Sequence, residues 1–386
     1  MIYLDNASTT MLSTGVYMKM SPWLQGGYNA GGLHSRGREA REAVENAREQ
    51  VAKLINCEPS QIIFTSGGSE SNNMVINAAT GDRVAVSATE HDSIINSTLF
   101  GGNENFISPM TKSYSRRDRV LIPVDSNGIC TVAECAHVLS ALRPGLISVM
   151  YANNEVNAVN PVKEIAAEAH KQGCYFHTDC VQALGYYDLD MQEIGCDFAS
   201  FSSHKIHGPQ GVGALYVKNP HSIYPLIFGS EQQEYGLRGG TENVAGIVGF
   251  GEACRAVLEN KDKCTDNIDM QKAAFWEALY SHLGDKSCVH INGLSRGKVF
   301  SLRFDGVDGQ SLVLMLNKHQ IFVSTGSACN SMSTNPSHVL TAMGLSQEEA
   351  RSTIRVSFDP FAEDMIDDAS EAGNLLAACV NILRKV

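Results

Sequence analysis

With 386 residues and 43% hydrophobic composition, the chain is long enough for one large core or two domains. A formal net charge of -12 excludes a general surface for nucleic acid or anionic membranes and leaves room only for a local basic site. Eleven cysteines, scattered and without a C-x-x-C pair, exclude a disulfide scaffold and a zinc site, so no metal is expected.

The start, Met1-Ile2-Tyr3-Leu4-Asp5, has neither a basic region nor a long apolar run. No signal peptide or membrane span is expected, and the expected location is a reducing cytoplasm in which most cysteines are small buried hydrophobes. Helical and short apolar strand patterns then alternate, which argues for α/β. Gly37 to Ile55 set Ala40, Val44, Ala47, Val51 and Leu54 at helical spacing. Gln61 to Phe64 reads as a strand that runs through Thr65-Ser66-Gly67-Gly68-Ser69-Glu70 into a helix. Arg83 to Val86, Leu146 to Met150 and Cys174 to His177 read as buried strands, the last followed by Thr178-Asp179. Polar residues sit just past the C-terminal ends of these strands, where open α/β sheets place their sites.

The character changes after about residue 255, with Lys261-Asp262-Lys263 as a polar connection. A smaller α+β unit follows, with strands over Val299–Phe304 and Thr353–Phe358. Ser346-Gln347-Glu348-Glu349 has capping-box spacing and starts a helix. Asp359 to Val386 reads as one amphipathic helix. The expected division is a large domain over 15–255 and a small one formed by 1–14 and 256–386. The small domain carries a long polar loop at about 324–336.

Eight motifs stand in order around Ser202-Ser203-His204-Lys205-Ile206-His207-Gly208-Pro209. They are Tyr3-Leu4-Asp5-Asn6-Ala7, Thr65 to Asn73, Thr89-Glu90-His91, Asn153-Asn154-Glu155, His177-Thr178-Asp179, Arg238-Gly239-Gly240-Thr241-Glu242-Asn243, Gly326-Ser327-Ala328-Cys329 and Ser352-Thr353-Ile354-Arg355. The set resembles the cysteine desulfurases, in the class V aminotransferase family of fold-type I enzymes that use pyridoxal 5'-phosphate (PLP). The length of the segment around Cys329 resembles the long-loop group of that family. The resemblance implies a large domain with a mostly parallel seven-stranded sheet plus a smaller α+β domain.

A PLP site needs an amine, an anion for the pyridine nitrogen, a phosphate cup and a group on the ring face. The resemblance implies Lys205 as the Schiff-base amine, which by itself reads as a loop lysine. Asp179 is the expected anion, although an aspartate there also reads as a helix N-cap. Gln182 is expected at the phenolic O3', and is otherwise an ordinary polar helix residue. Gly67, Gly68 and Ser69 open a helix whose free N–H groups favour a phosphate dianion, with Ser202 and His204 adding donors. Thr241 is expected to reach the phosphate of a neighbouring subunit, which implies a homodimer. The family places a proton-moving histidine on the ring face, and His91 matches it. Arg355 should bind the substrate carboxylate as a planar fork, with Asn154 as a second contact to the carboxylate or to O3'. Cys329 is the catalytic thiol; Cys180, beside Asp179, is expected to be packed.

The implied activity converts L-cysteine to L-alanine and leaves the sulfur on Cys329 as a persulfide for an acceptor protein. Selenocysteine lysis, transamination and another PLP-dependent lyase reaction are the rivals on the same fold, and a silent scaffold is the rival from another class. Three departures from the family pattern stand out. Asn29-Ala30-Gly31-Gly32-Leu33-His34 carries two extra glycines, which are expected to loosen a loop near the entrance and to alter access or docking. Gln210 replaces a common lysine, with little expected effect. The stretch with Asn103-Glu104-Asn105 and Arg116-Arg117-Asp118-Arg119 is long and reads as a solvated loop or a partner site. The end at Arg384-Lys385-Val386 lacks a longer tail used to dock an iron–sulfur scaffold. That counts against a housekeeping role in iron–sulfur assembly and leaves room for a specialised acceptor, such as one serving tRNA thiolation or DNA phosphorothioate modification, with no direct nucleic-acid contact expected.

Overall fold

A computed structural model describes residues 1–78, 83–100, 118–261, 264–294, 297–326, 336–362 and 365–385. Its strands are β1 (Ile2–Tyr3), β2 (Ile62–Thr65), β3 (Arg83–Ser87), β4 (Asp118–Ile122), β5 (Leu146–Ser148) and β6 (Tyr175–Asp179). They continue as β7 (Phe198–Ser202), β8 (Gly213–Val217), β9 (Val289–Asn292), β10 (Val299–Phe304), β11 (Ile321–Phe322) and β12 (Thr353–Ser357). Seven of them form one sheet in the order β2-β8-β7-β6-β5-β3-β4. Only β8 runs against its neighbours, so the sheet is mostly parallel, as the resemblance implies.

Strands in such a sheet are covered on both faces and must be apolar or internally satisfied. β7 is buried throughout, and β6 is buried after its first residue. His177, buried within β6, bonds Ser148 Oγ at 2.8 Å and Ser200 Oγ at 3.0 Å across β5 and β7. Burial pushes its pKa down to about 3, so it is a neutral link of the sheet. Because six strands point the same way, the residues following β2, β3, β5, β6 and β7 all emerge at one edge.

A second core joins Ile2 and Leu4 to Leu302, Ile354 and Leu376. It lies around the antiparallel sheet β12-β10-β9 and the parallel pair β1-β11. The helix Ser35–Leu54 buries Ala40, Val44, Ala47 and Val51, and also Arg48, which pairs with the buried Glu234 at 2.8 Å. The capping box at Ser346 and Glu349 is formed.

Three expectations change. The last helix runs only over Ile366–Leu383. Before it, Pro360 lacks an N–H, and Asp359 is occupied in accepting from Phe361 N–H and His207 Nε2, both at 2.9 Å. The Asn29–His34 loop is not loose. Arg41 donates twice to the Ala30 carbonyl, Arg38 donates to the Leu33 carbonyl, and a Cβ on Gly37 would stand 2.2 Å from the Gly32 carbonyl oxygen. Of the long stretch, 101–117 lies outside the described residues, while Asp118 and Arg119 open β4. Among the described residues no helix is long and apolar enough to cross a membrane.

Candidate active site

The strand ends converge on a cavity of about 240 Å³. Gly68, Ser69, His91, Asn154, Asp179, Gln182, Ser202, His204, Lys205 and Arg355 all line it. Thr241 is exposed and lies off the cavity wall. Cys329 lies outside the described residues. Cys180 is fully buried in the core, and burial holds its thiol well above the ordinary pKa.

Lys205 ends the single turn Ser203–Lys205 that follows β7. Its Nζ donates to the carbonyls of Ala7 at 2.7 Å and Ser8 at 2.5 Å, so the N-terminal segment fixes the amine at the wall. Asp179 ends β6. Its Oδ2 accepts from Asn72 Nδ2 at 2.8 Å and its Oδ1 from Val181 N–H at 2.9 Å, which orients the carboxylate. Gln182 donates to the Ala7 carbonyl at 2.9 Å, and its buried Oε1 has no partner among the described residues. The buried Oδ1 of Asn72 is in the same condition.

The helix Gly68–Ala78 starts two residues after β2. Gly67 has φ +149°, and a Cβ on Gly68 would stand 2.6 Å from Val181 Cγ2. Side chains are therefore excluded where the first free N–H groups face outward. A second cleft adjoins there, lined by Ser66, Gly67, Ser69, Ser202, His204 and Gln210. Burial, then the charge of Lys205, pushes His204 down to about 4 and keeps it a neutral hydrogen-bonding ring.

His91 Nδ1 accepts from Ser93 N–H at 3.1 Å. A backbone N–H can only donate, so the ring proton sits on Nε2. Arg355 is 2% exposed in the middle of β12. Its Nη2 donates to Asp5 Oδ1 at 2.8 Å and Ser8 Oγ at 2.6 Å, and its Nη1 to the Asn154 carbonyl at 3.0 Å. Nε has no partner among the described residues. The link from Asn154 to Arg355 thus runs through its backbone carbonyl.

Among the lining residues that carried no role in the sequence reading are Asn72, Glu90, Glu155 and His338. Asn72 follows Gly68 by one helical turn, a spacing that would have marked it. Glu90 is fully buried. Its Oε1 accepts from Met150 N–H at 2.6 Å and Ser87 Oγ at 2.9 Å, while Oε2 has no partner among the described residues. Burial, aided by the charge of Asp179 and opposed by those two donors, holds its carboxyl well above the ordinary value of 4.5. A carboxyl with a raised folded pKa binds its proton more tightly in the native state. The stability it provides is complete below the unfolded pKa and is lost as pH rises through the folded one. Glu90→Gln keeps the shape and removes the titration. As pH rises above the ordinary carboxyl value of 4.5, the variant's melting temperature is expected to decline less than that of the wild type, and parallel curves in a calorimetric series would refute this.

These groups fit PLP. The amine, the oriented carboxylate, the open N–H groups of Gly68 and Ser69, and the orphaned Gln182 Oε1 and Asn72 Oδ1 meet in one cavity.

The family model described as Aminotransferase class-V matches residues 2–365. The cysteine desulfurase IscS of Dictyoglomus turgidum is 37% identical over 366 residues, which cover 92% of this chain and 88% of that protein. A solved NifS-like protein superposes with a TM-score of 0.85 at 28% identity over all of both chains. The structure of SspA in complex with cysteine superposes with a TM-score of 0.76 at 30% identity, covering 94% of this chain and all of that one.

Proposed function

The chain belongs to the aminotransferase class V family, and from that premise we propose that it is a cysteine desulfurase that takes PLP and acts on L-cysteine. The observation that carries this reading is the convergence of Lys205, Asp179 and Arg355 on one cavity. Bound PLP supplies an aldehyde and an electron-accepting ring. Lys205 would hold the aldehyde, Asp179 would pair with the ring nitrogen, and His91 would serve the ring face. Gln182 and Asn154 would serve O3', and Gly68, Ser69, Ser202 and His204 would hold the phosphate.

Arg355, anchored by Asp5 and Ser8, presents Nε to the substrate carboxylate. The freed Lys205 amine, or His91, takes the Cα proton. The Cys329 thiolate attacks the sulfur of L-cysteine. An S–S bond forms as the Cβ–S bond breaks, the electron pair left on Cβ takes one proton, the proton removed from Cα is returned there, and alanine leaves with Cys329 as a persulfide. The balance needs no outside oxidant. An acceptor protein then takes the sulfur for iron–sulfur assembly, tRNA thiolation or DNA phosphorothioate modification.

The unit of function in this reading is a homodimer. Tyr224 and Phe228 are 71% and 82% exposed, with Leu226 and Ile227 partly exposed between them. Gly239 N–H donates to the Ile227 carbonyl at 2.8 Å, which sets the exposed Thr241 beside this apolar ridge. Covering the ridge with a second copy would bring Thr241 to its neighbour's phosphate.

The test is incubation of the purified protein with L-cysteine and measurement of alanine, with L-selenocysteine in parallel. Alanine from L-cysteine is the expected result. Alanine from selenocysteine alone would favour the lyase reading, and no turnover of either by a yellow protein would favour a silent scaffold.

A further inference from the structure

The helix Asp92–Phe100 begins shortly after β3, and His91 stands just before its first residue. The His91 carbonyl accepts from Ile94 N–H at 2.8 Å and Ile95 N–H at 3.1 Å, while its ring Nδ1 accepts from Ser93 N–H at 3.1 Å. Ser93 Oγ lies 2.8 Å from the same Nδ1. The direction of this last bond follows from its surroundings. A ring nitrogen that already accepts from a backbone N–H carries no proton, so the hydroxyl donates to it. Asn72 completes the pattern, with Nδ2 at 2.8 Å from Asp179 Oδ2 and 2.9 Å from Ser93 Oγ. A carboxylate only accepts, so the amide nitrogen faces it, and the second hydrogen of that nitrogen goes to Ser93 Oγ. The hydrogen of the hydroxyl is thereby left for His91. One directed chain thus starts at Asn72, reaching the Asp179 carboxylate on one side and, through the Ser93 hydroxyl, His91 Nδ1 on the other.

The frame around this chain is stiff. Asn72 is 1% exposed. Asn73, the next residue, donates to the Ser93 carbonyl at 3.2 Å and to the Ser69 carbonyl at 2.8 Å. Met74 and Val75 of the same helix share a buried apolar cluster with Ile94. The helix Gly68–Ala78, which opens the phosphate cup, therefore grips the start of the helix that follows His91, and it does so at Ser93.

We propose that Ser93 is a positioning residue for His91: its hydroxyl, directed by Asn72, closes Nδ1 and fixes the ring with its proton on Nε2, in one frame with the Asp179 carboxylate. The proposal rests on the reading of His91 as the ring-face group of a PLP enzyme. Two groups that would serve different parts of the cofactor, its face and its ring nitrogen, are then tied to each other through two side chains. The His91 ring cannot swing without breaking a bond that Asn72 directs, and small displacements of such groups are costly. Held in this way, His91 has a proton to give at Nε2, and two donors stand against its taking one at Nδ1. That favours the Lys205 amine over His91 for the Cα proton.

The experiment uses the PLP-loaded enzyme and two readouts. One is the circular dichroism of the cofactor's visible band, which needs no substrate. The other is alanine formation from L-cysteine. Ser93→Ala is expected to change the amplitude of the band in the same sense as His91→Gln and to slow alanine formation roughly 10-fold, with the cofactor retained. Ser93→Thr and Ser93→Val introduce side chains of one shape that differ in the hydroxyl. Ser93→Thr is expected to keep the wild-type values, and Ser93→Val to match the loss in Ser93→Ala. Asn72→Ala, which keeps the hydroxyl and removes what directs it, is expected to lose at least as much. Because Ser93 acts through the His91 ring, adding Ser93→Ala to His91→Gln is expected to change neither readout further.

Wild-type values in Ser93→Ala or Ser93→Val, beside a defective His91→Gln, would overturn the proposal. So would a Ser93→Ala loss that persists in full in the His91→Gln background, which would trace it to helix packing. A His91→Gln variant indistinguishable from the wild type would instead fell the ring-face reading, and this proposal with it. No alanine from the wild type would strike the desulfurase reading alone, because the dichroism still decides whether Ser93 acts through His91.

Discussion

Cys329→Ser is expected to lower alanine formation from L-cysteine by about 10³-fold or more while the cofactor absorbance is retained. The attacking group must be ionisable near neutral pH and soft enough to take sulfur. A serine hydroxyl of similar size is neither. No other described cysteine offers a substitute. Cys57 is partly buried, and burial followed by the charge of Glu58 pushes its thiol to about 12. Cys180, Cys196 and Cys254 are fully buried and displaced upward for the same first reason. Alanine assay and absorbance spectrum on the same preparation decide the matter. Wild-type alanine yields from the serine variant would show that sulfur leaves without a protein carrier.

Lys205→Ala is expected to cost about 10⁴-fold in turnover and to remove the visible absorbance of the linked cofactor. The amine has two duties, holding the aldehyde and accepting a proton. Its removal also strips the Ala7 and Ser8 carbonyls of the cationic donor they share. The phosphate cup and Asp179 are untouched, so PLP should still be retained after desalting, though more weakly. Lys205→Arg keeps the charge and not the chemistry, and is expected to be equally inactive. Either variant turning over within tenfold of the wild type would show that another amine carries the reaction.

How much could be read from residues alone follows the range of the interactions. The strand Val299–Phe304 and the capped helix after Ser346 were legible because their signals are local. The strand pattern placed Lys205, Asp179 and the Gly67-Gly68-Ser69 turn at strand ends, but their expected roles came from the resemblance, because each residue alone reads as an ordinary loop, cap or turn residue. The start of the last helix was not, because Asp359 is drawn away by His207, which lies 152 residues earlier. Glu155 looked like one member of a polar motif, and its partner Ser337 lies 182 residues downstream. The Asn29–His34 loop misled in the opposite direction. Its glycines suggest slack, but they permit the close approach that Arg38 and Arg41 then secure.

The pairing of β1 with β11, and of Asp5 with Arg355, also orders events in time. Asp5 leaves the ribosome first, yet the guanidinium it orients is 350 residues later. The large sheet can close as soon as β8 is made, but the carboxylate fork cannot exist until β12 has emerged. A nascent or prematurely ended chain therefore has the Lys205 amine without the Arg355 guanidinium that the proposed reading assigns to the substrate carboxylate. In the proposed reading, the arginine that would grip the substrate carboxylate joins Asp5 only once β12 is made, a contact of long sequence separation.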